Sequence, residues 1–209
     1  MNRAGLFVVL DGPDYGGKST QACLLCDSLR RRGRRVLHVR DPGGTPISEA
    51  IRGVLLDPAN RSMAMTTETL LYTAARAQLV AEVIRPALAR GTTVVCERFV
   101  LSTAVYQGLA GRVGVRPVFD LAQFAVGGVT PDVTVVLDID PAAGARRHRG
   151  PKDRIERRGL AFQRKVRAGF LRLARRRRGV IVVDAGGTVE AVAMRVLSAV
   201  VARLGLKVV

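Results

Sequence analysis

Tryptophan is absent from the 209 residues, cysteine occurs three times and histidine twice, and acidic residues number 17 against 34 lysines and arginines. Each scarcity excludes something. Cys23, Cys26 and Cys96 form no even-numbered disulfide framework, and Cys23-x-x-Cys26 has no second CxxC to complete a zinc site. A reducing cytoplasm fits this usage, with Cys23 and Cys26 read as helix packing rather than as a thioredoxin-like pair. No apolar run approaches the roughly 20 residues needed to cross a bilayer, so a membrane protein is not expected. The N-terminal stretch MNRAGLFVVLDGPD passes from a short apolar run straight into a glycine loop, without a small-residue cleavage site. It reads as a first strand, not as a secretory signal.

The shortage of acidic residues leaves a formal net charge of +17. A balance this basic points to nucleic acid or another polyanion as a partner. Its make-up argues the other way: the only lysines are Lys18, Lys152, Lys165 and Lys207, and the arginine runs 30–32, 34–35 and 175–178 fall at the ends of expected helices. Cations there complement the helix dipole. A solvated arginine-rich face is the simpler reading, and nucleic acid is not an expected partner, although the charge alone does not exclude it.

What is present is an alternation of apolar strands and amphipathic helices from end to end, without repeats or a low-complexity linker. That pattern implies an α/β protein with a parallel sheet covered on both faces, and the length suits one domain spanning 1–209. Five strands are expected at 5–11, 35–40, 92–97, 133–138 and 179–184. Helices are expected at 18–32, 46–56, 67–90, 100–109, 117–126, 141–148, 160–177 and 189–204. The charged, glycine-flanked segment GPKDRIERRG reads as a mobile lid, covering approximately 147–159.

The strongest local signal is Gly12, Pro13, Asp14, Tyr15, Gly16, Gly17, Lys18, Ser19, which satisfies G-x-x-x-x-G-K-[ST] between a strand and a helix, with Thr20 next in line. Glycines let successive backbone N–H groups converge on one concavity, and the helix N-terminus adds positive potential where phosphate oxygens sit. Lys18 would bridge the β- and γ-phosphates of a nucleoside triphosphate, and Ser19 would ligate Mg²⁺. This much says only that a nucleoside triphosphate binds. Transfer to a small acceptor needs further cations and a lid that excludes water. Arg40 and Arg98 end the second and third strands, where ligands sit in parallel sheets. Arg76 lies four residues after Tyr72 on the same helical face, a spacing that suits a ring on a base with a cation nearby.

Taken together, the loop at 12–19, RDPGGTP at 40–46, TETLLYTAARAQ at 67–78, ERFVLSTAVYQG at 97–108, FAVGGVTPD at 124–132 and DRIE at 153–156 resemble thymidylate kinase, in the family's order and spacing. The resemblance implies the P-loop fold, a dTMP acceptor, ATP with Mg²⁺, and a homodimer packed through helices. By position it implies that Asp14 faces the 3′-hydroxyl of the acceptor, that Tyr72 stacks on thymine, and that Arg76, Arg98 and Arg40 hold the acceptor phosphate. Thr103 and Gln107 would read the pyrimidine edge. Arg149 and Arg154 would be lid cations, needed more here because Tyr15 rather than arginine follows Asp14. Residues 185–188 resemble the segment that packs against adenine.

The chain also departs from the family pattern. Glu97 stands where aspartate is usual, which moves a magnesium-ligating or water-ordering carboxylate outward; Asp41 and Asp11 stand where glutamate is usual; and the lid approach at 146–150 is shorter. His148 is read as solvated and His38 as packing. Two alternatives stay open: a related kinase for another pyrimidine deoxynucleotide, and a catalytically weakened paralogue that binds nucleotide or nucleic acid.

Overall fold

The structure is a computed structural model that describes residues 5–206; residues 1–4 of the expected first segment and Lys207 lie outside them. Five strands, β1 (Phe7–Asp11), β2 (Val36–Arg40), β3 (Thr93–Glu97), β4 (Val133–Asp138) and β5 (Val180–Asp184), form one parallel sheet in the order β2-β3-β1-β4-β5. The expected class and all five strands are observed, with ends shifted by a residue or two.

Side chains alternate across a strand, and β1 shows what this does. Val8 and Leu10 enter a core with Leu25, Leu29 and Cys26 of helix α1 (Lys18–Arg31) and Val192, Val196 and Val200 of α9 (Val189–Leu204). Phe7 and Val9 enter the opposite core, with Leu79 at the end of α3 (Met65–Leu79) and Ile84 in the turn beyond it. Burial on both faces is why β1 reads FVVLD rather than as an apolar–polar alternation. Helix α2 (Pro46–Leu56) is capped by the Thr45 hydroxyl, which accepts from the Ser48 N–H. The Cys23 and Cys26 thiols are both free on α1: Cys26 packs in the core as expected, whereas Cys23 is exposed and does not pack there.

Two helices differ from expectation. The stretch expected as one helix over 67–90 is α3, a wide π turn at Val80–Ile84, and α4 (Arg85–Ala89). Pro86 has no N–H to offer the Glu82 carbonyl and crowds it, so α-helical pairing cannot run through this point. The helix expected over 100–109 is α-helical only in α5 (Val100–Thr103) and continues as a π-helix over Ala104–Ala110, where the Gly111 N–H reaches back five residues to the Tyr106 carbonyl. Then come α6 (Val115–Val126), α7 (Pro141–Ala145), a short 3₁₀ turn (Glu156–Arg158) and α8 (Gly159–Ala174).

Register brings the strand ends together. Leu10 lies opposite Glu97, and the Arg98 N–H donates to the Leu10 carbonyl at 2.8 Å, so the loop after β1 and the turn after β3 leave the sheet side by side.

Candidate active site

A cleft of about 640 Å³ opens at the carboxyl ends of the strands. Its floor is the loop from Asp14 to Thr20; Gly12 and Pro13, expected at the nucleotide as well, do not line it. Gly12, Tyr15 and Gly17 have positive φ, and Gly12 could be nothing else, since a Cβ there would lie 2.5 Å from the Leu137 carbonyl oxygen. Gly17 begins α1 with no side-chain cap and no acidic residue in the first turn, which leaves backbone N–H donors for an anion. Asp14, Tyr15, Gly16, Gly17, Lys18, Ser19 and Thr20 all line the cleft. The Gly12 and Pro13 carbonyls accept from the Lys18 ammonium at 3.2 and 2.6 Å. Burial, followed by the field of Arg98, lowers the Lys18 pKa to about 7.

Ser19 and Glu97 meet as the sequence suggested. The Ser19 hydroxyl donates to Glu97 Oε2 at 2.5 Å, and His38 Nε2 lies 3.0 Å from Oε1. The longer side chain of glutamate therefore reaches the serine, and His38, expected only to pack, braces it. Burial pushes the Glu97 carboxyl up, but the His38 and Ser19 hydrogen bonds and Lys18 hold it below its usual value. Two hard oxygen donors beside a phosphate loop suit Mg²⁺, which binds through one or two protein oxygens and completes its shell with phosphate and water. Among the described residues no group of three or more His, Cys, Asp or Glu could hold a metal.

On the acceptor side the structure gathers Arg98, Asp14, Arg76, Tyr72, Thr103, Gln107 and Arg40 around the same cleft. Arg98 has φ 63°, a strained left-handed conformation for a non-glycine residue, and this aims its guanidinium back at the loop. It donates to Asp14 Oδ1, to the Gly12 carbonyl at 3.2 Å and to the Ser102 hydroxyl at 3.2 Å. Burial raises the Asp14 carboxyl pKa, yet Arg98 and Lys18 bring it below the usual carboxylate value. Arg76 is almost fully buried: Nε donates to Asp41 Oδ2 at 2.5 Å and Nη2 to the Thr103 hydroxyl at 2.8 Å, while Nη1 has no protein partner. A buried unpaired guanidinium N–H on a cleft wall is a donor waiting for a ligand oxygen. Arg40 is exposed and paired with Glu49.

The expected lid cations are placed elsewhere. Arg149 is exposed and donates to the Arg146 and His148 carbonyls. Arg154 is only 7% exposed, with Nε on the Leu55 carbonyl at 2.7 Å and Nη2 against Glu68 at 2.5 Å. Neither lines the cleft, whereas Arg147 does, donating to the Ala185 carbonyl at 3.1 Å. The segment read as a mobile surface is thus pinned at Arg154 and Ile155, both buried. His148, read as solvated, lies against the Tyr15 ring with centroids 4.6 Å apart.

Several site residues escaped the sequence reading. The Tyr106 hydroxyl donates to Asp14 Oδ1 at 3.0 Å, and Gln163 Nε2 donates to Oδ2 at 2.5 Å from α8, 149 positions away. Tyr106 lay inside the recognised segment 97–108, but on an α-helix it would project differently; the π turn brings it and Gln107 to the cleft together. Arg52 also lines the cleft, with its Nη1 on the Pro42 carbonyl at 2.9 Å.

A sequence model described as thymidylate kinase matches residues 10–196. The chain belongs to the thymidylate kinase family. It is 47% identical to a thymidylate kinase of Symbiobacterium thermophilum over 189 residues, covering 90% of this chain and 88% of the relative. A thymidylate kinase of Pseudomonas putida is 45% identical, with 90% and 91% covered, and one of an Exiguobacterium species is 40% identical, with 96% of each chain covered. The aligned region contains the phosphate loop, the strand-end arginines, Tyr72 and both residues of the Ser19–Glu97 pair, so the thymidylate kinase match coincides with the cleft.

Proposed function

We propose that this cleft transfers the γ-phosphoryl group of ATP to dTMP. The observation that carries the proposal is the convergence of two cation sets on one cavity: Lys18 and the N-terminus of α1 on one side, and Arg98 with the unpaired edge of Arg76 on the other. Phosphoryl transfer asks little covalent chemistry of a protein and much positioning and charge neutralisation.

In this reading the loop from Gly12 to Thr20 cradles the donor phosphates, and Lys18 leaves the Gly12 and Pro13 carbonyls to contact them. Ser19 and Glu97 would hold Mg²⁺, which when bound neutralises charge on the β- and γ-oxygens. Tyr72 stacks on the base, Thr103 and Gln107 read its edge, and Arg76, Arg98 and Arg40 hold the acceptor phosphate. Asp14, steadied by Arg98, Tyr106 and Gln163, accepts from the acceptor's 3′-hydroxyl. The segment 147–159 forms the lid of a single domain; within it Arg149, held only by carbonyls of its own segment, is the cation free to swing inward, whereas Arg154 is committed to Glu68. An ADP-release assay with Mg-ATP and a panel of nucleoside monophosphates tests the activity. Strong preference for dTMP is expected, and turnover with none of the panel would refute the reading.

Lys18 supplies a pH-dependent check. A lysine titrating near 7 is mostly neutral at pH 8, and an arriving triphosphate favours its charged form. ATP binding at pH 8 should therefore take up close to one proton per site. Calorimetric titrations in two buffers of different protonation enthalpy measure this, and an enthalpy independent of the buffer would contradict it.

We also propose a homodimer, in the cytoplasm. Helices α2, α3 and α6 pack side by side and expose Val54, Leu70, Leu121 and Phe124, the last 91% exposed. Exposed large apolar side chains on adjacent helices suit burial against a second copy of the chain. Phe124→Glu should convert a dimer to a monomer in light scattering; a wild-type chain that is already monomeric removes the proposal. Among the described residues no helix is long and apolar enough to cross a membrane.

A further inference from the structure

Glu68 sits on α3 one turn before Tyr72, is 0% exposed, and is not itself among the residues lining the cleft. Its two oxygens are divided between different partners. Oε2 accepts a hydrogen bond from Arg158 Nη2 and forms an ion pair with Arg154 Nη2, each at 2.5 Å, from the segment that caps the cleft. Oε1 accepts from Gln107 Nε2 at 2.8 Å. Gln107 does line the cleft, on the face assigned above to reading the base.

The orientation of a glutamine carboxamide is ambiguous when its neighbours can both donate and accept, because its two ends have nearly the same shape and opposite hydrogen-bonding sense. A carboxylate clasped by two guanidinium groups removes the ambiguity, since it offers acceptors only. Against Glu68 the amide must turn its NH₂ inward, and its carbonyl oxygen, which takes no donor from the protein, is left as the acceptor for a ligand. Thr103 is fixed by the same logic with the sign reversed. Arg76 offers donors only, so the threonine oxygen accepts from it at 2.8 Å and the hydroxyl proton is left to donate.

We infer that Glu68 is a specificity-determining positioning residue: by fixing the Gln107 carboxamide it sets the hydrogen-bonding sense of the base pocket to accept an N–H from the acceptor base. Thymine and uracil present a protonated ring nitrogen, N3–H, flanked by carbonyls. Cytosine presents an unprotonated N3 beside an amino group, and would meet acceptor against acceptor. Leaving buried polar groups unpaired is how such a pocket rejects the wrong ligand by large factors, whereas a thymine methyl can be discriminated only modestly. Glu68 thus separates the oxo-pyrimidines from the amino-pyrimidine, and Arg154 and Arg158 hold it in place to do so. The inference rests on the proposed assignment of Gln107 to the base edge.

The test is Glu68→Gln, which is isosteric but can donate as well as accept, so Gln107 is free to turn over. Wild type and variant are given Mg-ATP with dTMP and dCMP together in one reaction, and the two diphosphate products are separated. The ratio obtained does not depend on how much of the enzyme is folded. Wild type should favour dTMP strongly, and Glu68→Gln should lower the dTMP-to-dCMP ratio at least tenfold, with dCMP use rising in absolute terms, which general loosening of the fold would not produce. The double variant Glu68→Gln with Arg158→Gln removes a cation together with the anion, guards against misfolding from unbalanced charge, and should show the same loss. Gln107→Leu distinguishes reading of the base from the positioning of its reader. A ratio lost in Gln107→Leu but kept in both Glu68 variants overturns the positioning role alone. A ratio kept in all three overturns the assignment of Gln107 as base reader, while dTMP turnover itself continues to test the proposed reaction.

Discussion

Arg98→Ala is expected to lower kcat/KM for dTMP by two to three orders of magnitude, in keeping with the loss of one preorganised charge at a transferring phosphoryl group. Three features of the structure support so large an effect. The guanidinium is placed by a strained left-handed backbone at the exit of β3, a cost of about 1 kcal/mol or more that a merely structural cation would not require. Its donors are shared among Asp14, the Gly12 carbonyl and Ser102, so it spans the donor loop and the acceptor wall. Its charge also holds the Asp14 carboxyl low against burial. Because that folded-state value is depressed, Asp14 contributes stability that is present above its unfolded pKa and lost as pH falls through the folded value. The alanine variant should lose less stability on acidification than wild type. Arg98→Lys keeps a charge without the fork and should recover only part of the rate. Steady-state kinetics alongside thermal unfolding separate the roles: an alanine variant with near-normal kcat/KM and a lowered Tm would make Arg98 a structural residue.

Arg76→Leu should destabilise the fold by about 3–5 kcal/mol at neutral pH, because it removes one partner of a buried ion pair and strands the other. Asp41 is the stranded partner. Its side chain is 0% exposed, its Oδ1 already lacks a hydrogen bond, and Arg76 is what offsets the desolvation that raises its pKa. Without Arg76 the carboxyl rises further and prefers to be protonated in the folded state. A folded-state value above the unfolded one gives stability that is fully present below the unfolded pKa and lost as pH rises through the folded one. The variant should therefore be closer to wild type near pH 5 than near pH 8. Denaturant unfolding at both pH values measures this, and a destabilisation that does not change with pH would show that Asp41 stays charged. The same variant removes the unpaired Nη1 from the cleft and should raise KM for dTMP.

Much of this molecule is legible in its sequence. The positions of the five strands along the chain, the class of sheet and the phosphate loop follow from local physics. Apolar runs buried on both faces cannot alternate, and glycines at 12 and 17 with a lysine at 18 are what a chain needs to bend backbone N–H groups toward phosphate. The four-residue spacing of Tyr72 and Arg76 likewise survives into the structure, because α3 is a regular helix there.

Other features were decided only by tertiary structure. The sheet order β2-β3-β1-β4-β5 is not written in any strand, since parallel pairing is chosen by which crossovers pack. The π-helix at Ala104–Ala110 is invisible to a 3.6-residue period, yet it delivers Tyr106 and Gln107 together. Gln163, Glu68 and Arg158 reach the site or its support from positions scores of residues apart. Arg154 shows the limit from the other side: position within a recognised segment suggested a cation for the phosphates, but burial gave it a carboxylate partner. A local pattern fixes what a backbone can do over a few residues, whereas the partner of a long charged side chain depends on which distant group the fold places in its reach.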